Sequence, residues 1–123
     1  MSAEAGHTGS HPRLRLDDHF ASAIRFSLMA ALADGSDLDF GTLAGILDVG
    51  DSALSKAITH LQAAGYVVAR KVLSGGRPRT WVTSSAAGRR AFSSHVEALR
   101  QIVELGSAVD PERAQAVAPT RSP

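Results

Sequence analysis

Leu54 to Phe92 reads LSKAITHLQAAGYVVARKVLSGGRPRTWVTSSAAGRRAF, and the changes of pattern inside this stretch decide the fold. At its start, Leu54, Ile58 and Leu61 recur at helical spacing. Ser52, Ser55, Lys56, Thr59 and His60 then fall on the opposite, outward side. The spacing predicts a helix over 52–64, with Asp51 or Ser52 as its cap and Gly65 as its stop. The period then changes. Tyr66 to Val72 is rich in Tyr and Val and reads as a strand, Ser74 to Pro78 as a turn, and Arg79 to Thr83 as the returning strand. The result is a β-hairpin with a basic, Gly-containing tip. Ser85 can cap a last helix from Ala86 to about Leu105. Along it Phe92, Val96, Leu99 and Val103 are spaced 4, 3 and 4 apart, a coiled-coil-like seam too short to stand alone.

Upstream of this stretch the pattern is helical. Phe20, Ile24, Leu28 and Leu32 form an apolar stripe on a helix expected over 18–33, with Asp17 or Asp18 as its cap and Gly35 beyond its end. Leu38 to Phe40 reads as a very short strand. Asp39 can cap a second helix over 40–47 with Leu43, Ile46 and Leu47 buried. Asp48-Val49-Gly50 reads as a tight turn, with Gly50 as the residue suited to a left-handed backbone. Two short helices joined by such a turn, the second with a polar outer face, make a helix-turn-helix. Residues 1–12 have no periodicity and read as a disordered tail. Residues 107–123 hold three of the five prolines and read as a flexible tail, which leaves one domain over 13–106.

Composition excludes several kinds of function. The 123 residues suffice for one domain, and with no Cys there is no disulfide, no cysteine-ligated zinc and no thiol catalysis. The N-terminus lacks the apolar region of a secretory signal, and no run is long enough for a membrane span. The expected location is the cytoplasm. No P-loop, dinucleotide fingerprint, His-Glu-x-x-His or Gly-x-Ser-x-Gly occurs, so the sequence points away from an enzyme and calls for no cofactor. The five His are His7, His11, His19, His60 and His95; none forms a spaced pair on one helix, so no metal site is expected, although His19 and His95 stand on helices that can meet.

The formal charge of +1 hides an asymmetry. Residues 1–53 carry three Arg against eight acids, a net −5. Residues 54–100 carry eight Lys or Arg against one acid, a net +7. A basic middle segment in a nearly neutral chain suits a polyanion. A helix fits the major groove of DNA, where Ser52, Ser55, Lys56, Thr59 and His60 would meet base edges. Arg77 and Arg79 on the hairpin, with Arg70 and Lys71 near the strand end, would reach the adjacent groove or phosphates.

Read together, these features resemble the MarR-related winged helix regulators in their short single-domain form. The resemblance rests on Leu54-Ser55-Lys56, Leu61 to Val67, Lys71, Gly76 to Thr80 and Gly88-Arg89, with Arg25-Phe26 and Leu38-Asp39-Phe40 upstream, and spans about residues 17–104. One departure is Ser84, where the family usually places Leu; it is expected to loosen the junction between wing and last helix. The resemblance implies a mainly α (α+β) winged helix-turn-helix with a two-stranded β-hairpin wing and a long C-terminal dimerisation helix. It implies a DNA-binding transcriptional regulator, a repressor by default, that acts as a homodimer on a palindromic operator. The dimer surface is expected at Phe20, Ile24, Phe92, Val96, Leu99 and Val103. A small-molecule effector is compatible with this fold but has no support in the sequence. The same fold used only for protein contacts is the competing reading, and it would not need the basic segment.

Overall fold

The first full helix, α1, is Ala23–Leu32, and its sequence AIRFSLMAAL turns Leu28, Met29 and Leu32 wholly into the core. The computed structural model describes residues 10–108. The helix expected from Asp18 onward is divided. Asp17 accepts a hydrogen bond from the His19 backbone N–H at 2.9 Å and starts a separate 3-10 turn, Asp18–Phe20. Ser22 then adopts an extended backbone and accepts from the Arg25 N–H at 3.2 Å, which starts α1. Two cap-forming side chains five positions apart each claim free N–H groups, so one long helix becomes a turn and a helix.

Strand β1 is Asp37–Asp39 and helix α2 is Phe40–Leu47. Asp39 caps α2 as expected, accepting from the Thr42 N–H at 2.7 Å. Two details of this helix differ from the sequence reading. Ile46 is 58% exposed, because so short a helix buries a narrow stripe, here Leu43 with Leu47 half-buried beside it. The left-handed residue after α2 is Asp48, at φ 54° and ψ 53°, while Gly50 is extended at φ −75°. Asp is one of the few side chains that accept that conformation. Gly50 instead precedes α3, Asp51–Ala63, which has no side-chain cap; neither Asp51 nor Ser52 supplies one. Leu54, Ala57, Ile58 and Leu61 are the buried face of α3.

Strands β2, Val67–Ser74, and β3, Arg77–Ser84, pair antiparallel from Val67 opposite Ser84 to Ser74 opposite Arg77. The hairpin is longer than the sequence suggests because its turn is only Gly75-Gly76, both with positive φ, which suits the twist of paired strands. The sheet order is β1-β3-β2, so the wing carries a third short strand, with Asp37 opposite Thr83 and Asp39 opposite Trp81.

Helix α4, Ala86–Ala108, starts at a crowded junction. Ser85 Oγ accepts from the Gly88 N–H at 3.0 Å and donates to the Gly65 carbonyl at 2.6 Å. The Ser85 N–H donates to the Tyr66 carbonyl. A Cβ on Gly88 would stand 2.1 Å from that same oxygen, so only Gly fits. Ser84 does not loosen this junction as expected. It is buried, its hydroxyl donates to the Leu32 carbonyl at 2.7 Å, and the Arg89 guanidinium donates to its backbone carbonyl at 2.9 Å. A polar anchor with its partners in place stands where an apolar one was expected, and its hydrogen bonds offset the cost of taking the hydroxyl out of water.

The described residues fall into two units. Residues 17–93 hold α1, α2, α3 and the sheet, with the aromatic contacts of Phe20 to Tyr66 at 5.4 Å and to Phe92 at 5.5 Å. Residues 10–16 with 94–108 form the other. There Pro12–Arg15 is a 3-10 turn with Pro12 buried, Arg15 hydrogen-bonds Gln101, and Glu97 pairs with Arg100 at 2.7 Å. Residues 1–9 and 109–123, which include His7 and most of both expected tails, lie outside the described residues. No helix among the described residues is long and apolar enough to cross a membrane.

Candidate nucleic-acid interface

Helix α3 separates its two faces cleanly. Opposite the buried Leu54, Ala57, Ile58 and Leu61, all five expected contact residues, Ser52, Ser55, Lys56, Thr59 and His60, are exposed. None of the cap or core bonds of the helix uses these side chains. Among the described residues Lys56 takes part in no ion pair, so its charge is available to a partner.

The wing presents four exposed cations in two states. Arg70 reaches across β3 to Asp37 through two bonds of 3.0 and 2.6 Å. Arg79 donates to Asp39 at 3.1 Å. Both carboxylates are held below their usual pKa range. The cause at Asp37 is chiefly the Arg70 hydrogen bond; at Asp39 it is the bond from Thr42, with the Arg79 charge adding to it. Lys71 and Arg77 form no ion pair among the described residues and stand exposed toward the tip, near Leu73 at 73% exposure. The pairing of Arg70 and Arg79 with β1 is invisible to local pattern, since the partners are 33 and 40 positions apart.

A polar network adjoins the N-terminal end of α1 and the C-terminal half of α3. Asp17 accepts from the Tyr66 hydroxyl at 2.6 Å and stands 2.7 Å from His19 Nδ1. Burial works to raise the Asp17 pKa, but the bonds from Tyr66 and His19 outweigh it and hold the carboxyl low. The same bond pushes the Tyr66 hydroxyl up to about 12. His19 lies edge-on to His60, ring centres 5.4 Å apart. The His60 pKa is lowered by desolvation and by the neighbouring Arg25 and His19. A cleft of about 320 Å³ opens there between α1 and α3. It is lined by Ser22, Ile24 and Arg25 from the α1 side and by Ala53, Lys56, Ala57 and His60 of α3. Arg25 was not among the expected site residues. The available signal was that it is the one charged residue in the α1 sequence.

Of the six residues expected at a dimer surface, Phe20 is 2% exposed and belongs to the chain's own core. Phe92 packs on Phe20 and Phe26 and is half-buried, as are Ile24 and Val96. Leu99 and Val103 are exposed, Val103 at 69%.

A helix-turn-helix followed by a β-hairpin wing defines the winged helix class. The family model described as "Winged helix DNA-binding domain" matches residues 24–103, and the chain belongs to that family. The fold is MarR-like. A transcriptional regulator homologue from Pyrococcus horikoshii OT3 superposes with a TM-score of 0.67 at 23% identity, over 72% of this chain and 87% of that one. YusO from Bacillus subtilis gives 0.68 at 14% identity, over 90% and 79%. BpsR from Bordetella bronchiseptica, whose DNA binding is regulated by 6-hydroxynicotinic acid, gives 0.60 at 19% identity, over 96% of both chains. No curated protein sequence matches the chain. The family is defined by DNA binding and not by catalysis.

Proposed function

We propose that this protein is a sequence-specific transcriptional regulator that binds a palindromic operator as a homodimer in the cytoplasm and acts as a repressor. The observation that carries the reading is the exposed face of α3, where Ser52, Ser55, Lys56, Thr59 and His60 stand opposite a fully apolar core face. Such a helix fits the major groove, and short hydroxyl side chains with one Lys and one His suit base edges and phosphates. Lys71 and Arg77 on the wing add backbone contacts. One recognition helix reads only a few base pairs, so two half-sites about one helical turn apart supply useful specificity. The exposed Leu99 and Val103 of α4, with Val96 and Phe92 in the same seam, are the proposed contribution to the dimer. Repression follows most simply, because a small dimer on an operator blocks polymerase.

The test is a titration of the protein onto a duplex from upstream of its own gene and onto a shuffled duplex, at two salt concentrations. A regulator of this kind binds the native duplex more tightly and loses affinity steeply with salt. Absence of binding to any duplex at low salt would favour the protein-contact reading instead. Replacement of Val96 by Asp is expected to give monomers in sedimentation, and an unchanged dimer would remove α4 from the interface.

A further inference from the structure

The cleft between α1 and α3 has a lining that the recognition helix alone does not explain. Ala53, Lys56, Ala57 and His60 are spaced so that they share one face of α3. The two Ala methyls leave the space open, and Lys56 and His60 frame it. From the other side the start of α1 contributes Ser22, Ile24 and Arg25, of which Ile24 is apolar. Two permanent cations and one imidazole therefore converge from two different helices on a volume of about 320 Å³. No carboxylate lines it. The nearby Asp17 is already engaged by Tyr66 and His19. Arg25 is held in place, because its Nε donates to the His19 carbonyl at 2.7 Å. Like charges gathered around an open space destabilise one another unless an anion joins them, and a cleft beside the DNA-facing helix is where a backbone phosphate passes.

We infer that this cleft holds one phosphate of the DNA backbone, gripped by Arg25, Lys56 and His60. The inference rests on the DNA-binding reading and divides its labour. Lys56 and His60 position the helix and carry no sequence information, while Ser52, Ser55 and Thr59 remain to read bases. His60 also makes the grip sensitive to pH. The groups facing it are Arg25 from α1, Lys56 on its own helix, and His19 with its partner Asp17 from the preceding turn. Desolvation, then Arg25 and His19, lower the pKa of the free imidazole, and a bound phosphate favours its protonated form. Affinity is thus expected to rise as pH falls through the imidazole range.

Two variants test this with the full chain and a fluorescent duplex. Ser22→Asp keeps a residue type that caps helices well but puts a carboxylate into the cleft. It is expected to lower affinity about tenfold or more for every duplex alike. Arg25→Gln is expected to cost about fivefold, again for all sequences, and to reduce the slope of log affinity against log salt by about 0.9, the value for one phosphate contact. Circular dichroism confirms that each variant is folded. A single neutral methylphosphonate at one backbone position should cost wild type about as much as Arg25→Gln does, and should cost the variant almost nothing further. If wild type binds duplex but both variants match it in affinity and salt slope, the cleft is not a phosphate site and the proposal is overturned while DNA binding stands. If wild type binds no duplex, both readings fall together. If the variants change only the preference among sequences, the cleft reads bases and the proposal is likewise overturned.

Discussion

The recognition helix and the wing carry the same sequence signal, exposed cations on a basic segment, yet they present it differently. On α3, Lys56 takes part in no ion pair among the described residues, and the His60 pKa is lowered by desolvation and by Arg25 and His19. On the wing, Arg70 and Arg79 are already matched to Asp37 and Asp39 of β1. Counting Lys and Arg therefore overstates what the wing offers DNA. A phosphate must compete with a carboxylate for Arg70 and Arg79 but not for Lys56, Lys71 or Arg77. The acidic strand has a structural use of its own, since it fastens the third strand across the sheet.

The largest expected effect breaks both regions at once. Tyr66 follows the end of α3 and precedes β2, and Gly88 of α4 packs directly on its backbone. Gly88→Ala forces a shift there and is expected to cost about 3 kcal/mol of stability, at the upper end for overpacking. Thermal unfolding checks it; an unchanged Tm would mean the junction yields freely.

Next is Lys56→Ala, expected to weaken binding to all duplexes about tenfold with a fall in salt slope of about one. Arg79→Ala should cost less, about threefold, because Asp39 already shares its charge. Anisotropy titrations over a salt series compare the two, and equal losses would erase the distinction between helix and wing.

The smallest effect sharpens it. Arg70→Ala should change affinity by less than about twofold. Asp37→Asn should do the opposite and tighten binding, by releasing Arg70 and removing a negative charge. A loss of affinity in Asp37→Asn would show that the pair orders the wing for binding. The pairs also have a definite pH window. Both carboxyls have lowered folded-state pKa values, so their stabilising contribution is present above the ordinary value of 3.8 and is lost as pH falls through the folded value beneath it. At neutral pH both pairs are intact. An acid titration followed by the NMR signals of the two carboxyls checks this, and midpoints at or above 3.8 would refute it.

Much of the fold was legible from local pattern alone. The outward set on α3, the Asp39 and Ser85 caps, the Gly65 stop and the Gly-containing wing turn each follow from spacing or from backbone chemistry acting over a few residues. Those rules suffice to specify a helix-turn-helix with a hairpin, because an amphipathic period and a cap are local properties. The remainder depended on residues far apart in the chain. One exception is local: Asp17 and Ser22, five positions apart, divided the first helix through a competition between caps that propensity does not rank. Ser84 reads as a lost apolar anchor until Leu32 and Arg89 are brought to it. Phe20, in the apolar stripe of the first helix, is expected at a dimer surface until Tyr66 and Phe92 enclose it. Which cations are open to a partner was likewise a tertiary decision. A charge is set by residue type, but its availability is set by what the fold places within about 3 Å of it, and for Arg70, Arg79 and Arg25 those neighbours come from other elements of the chain.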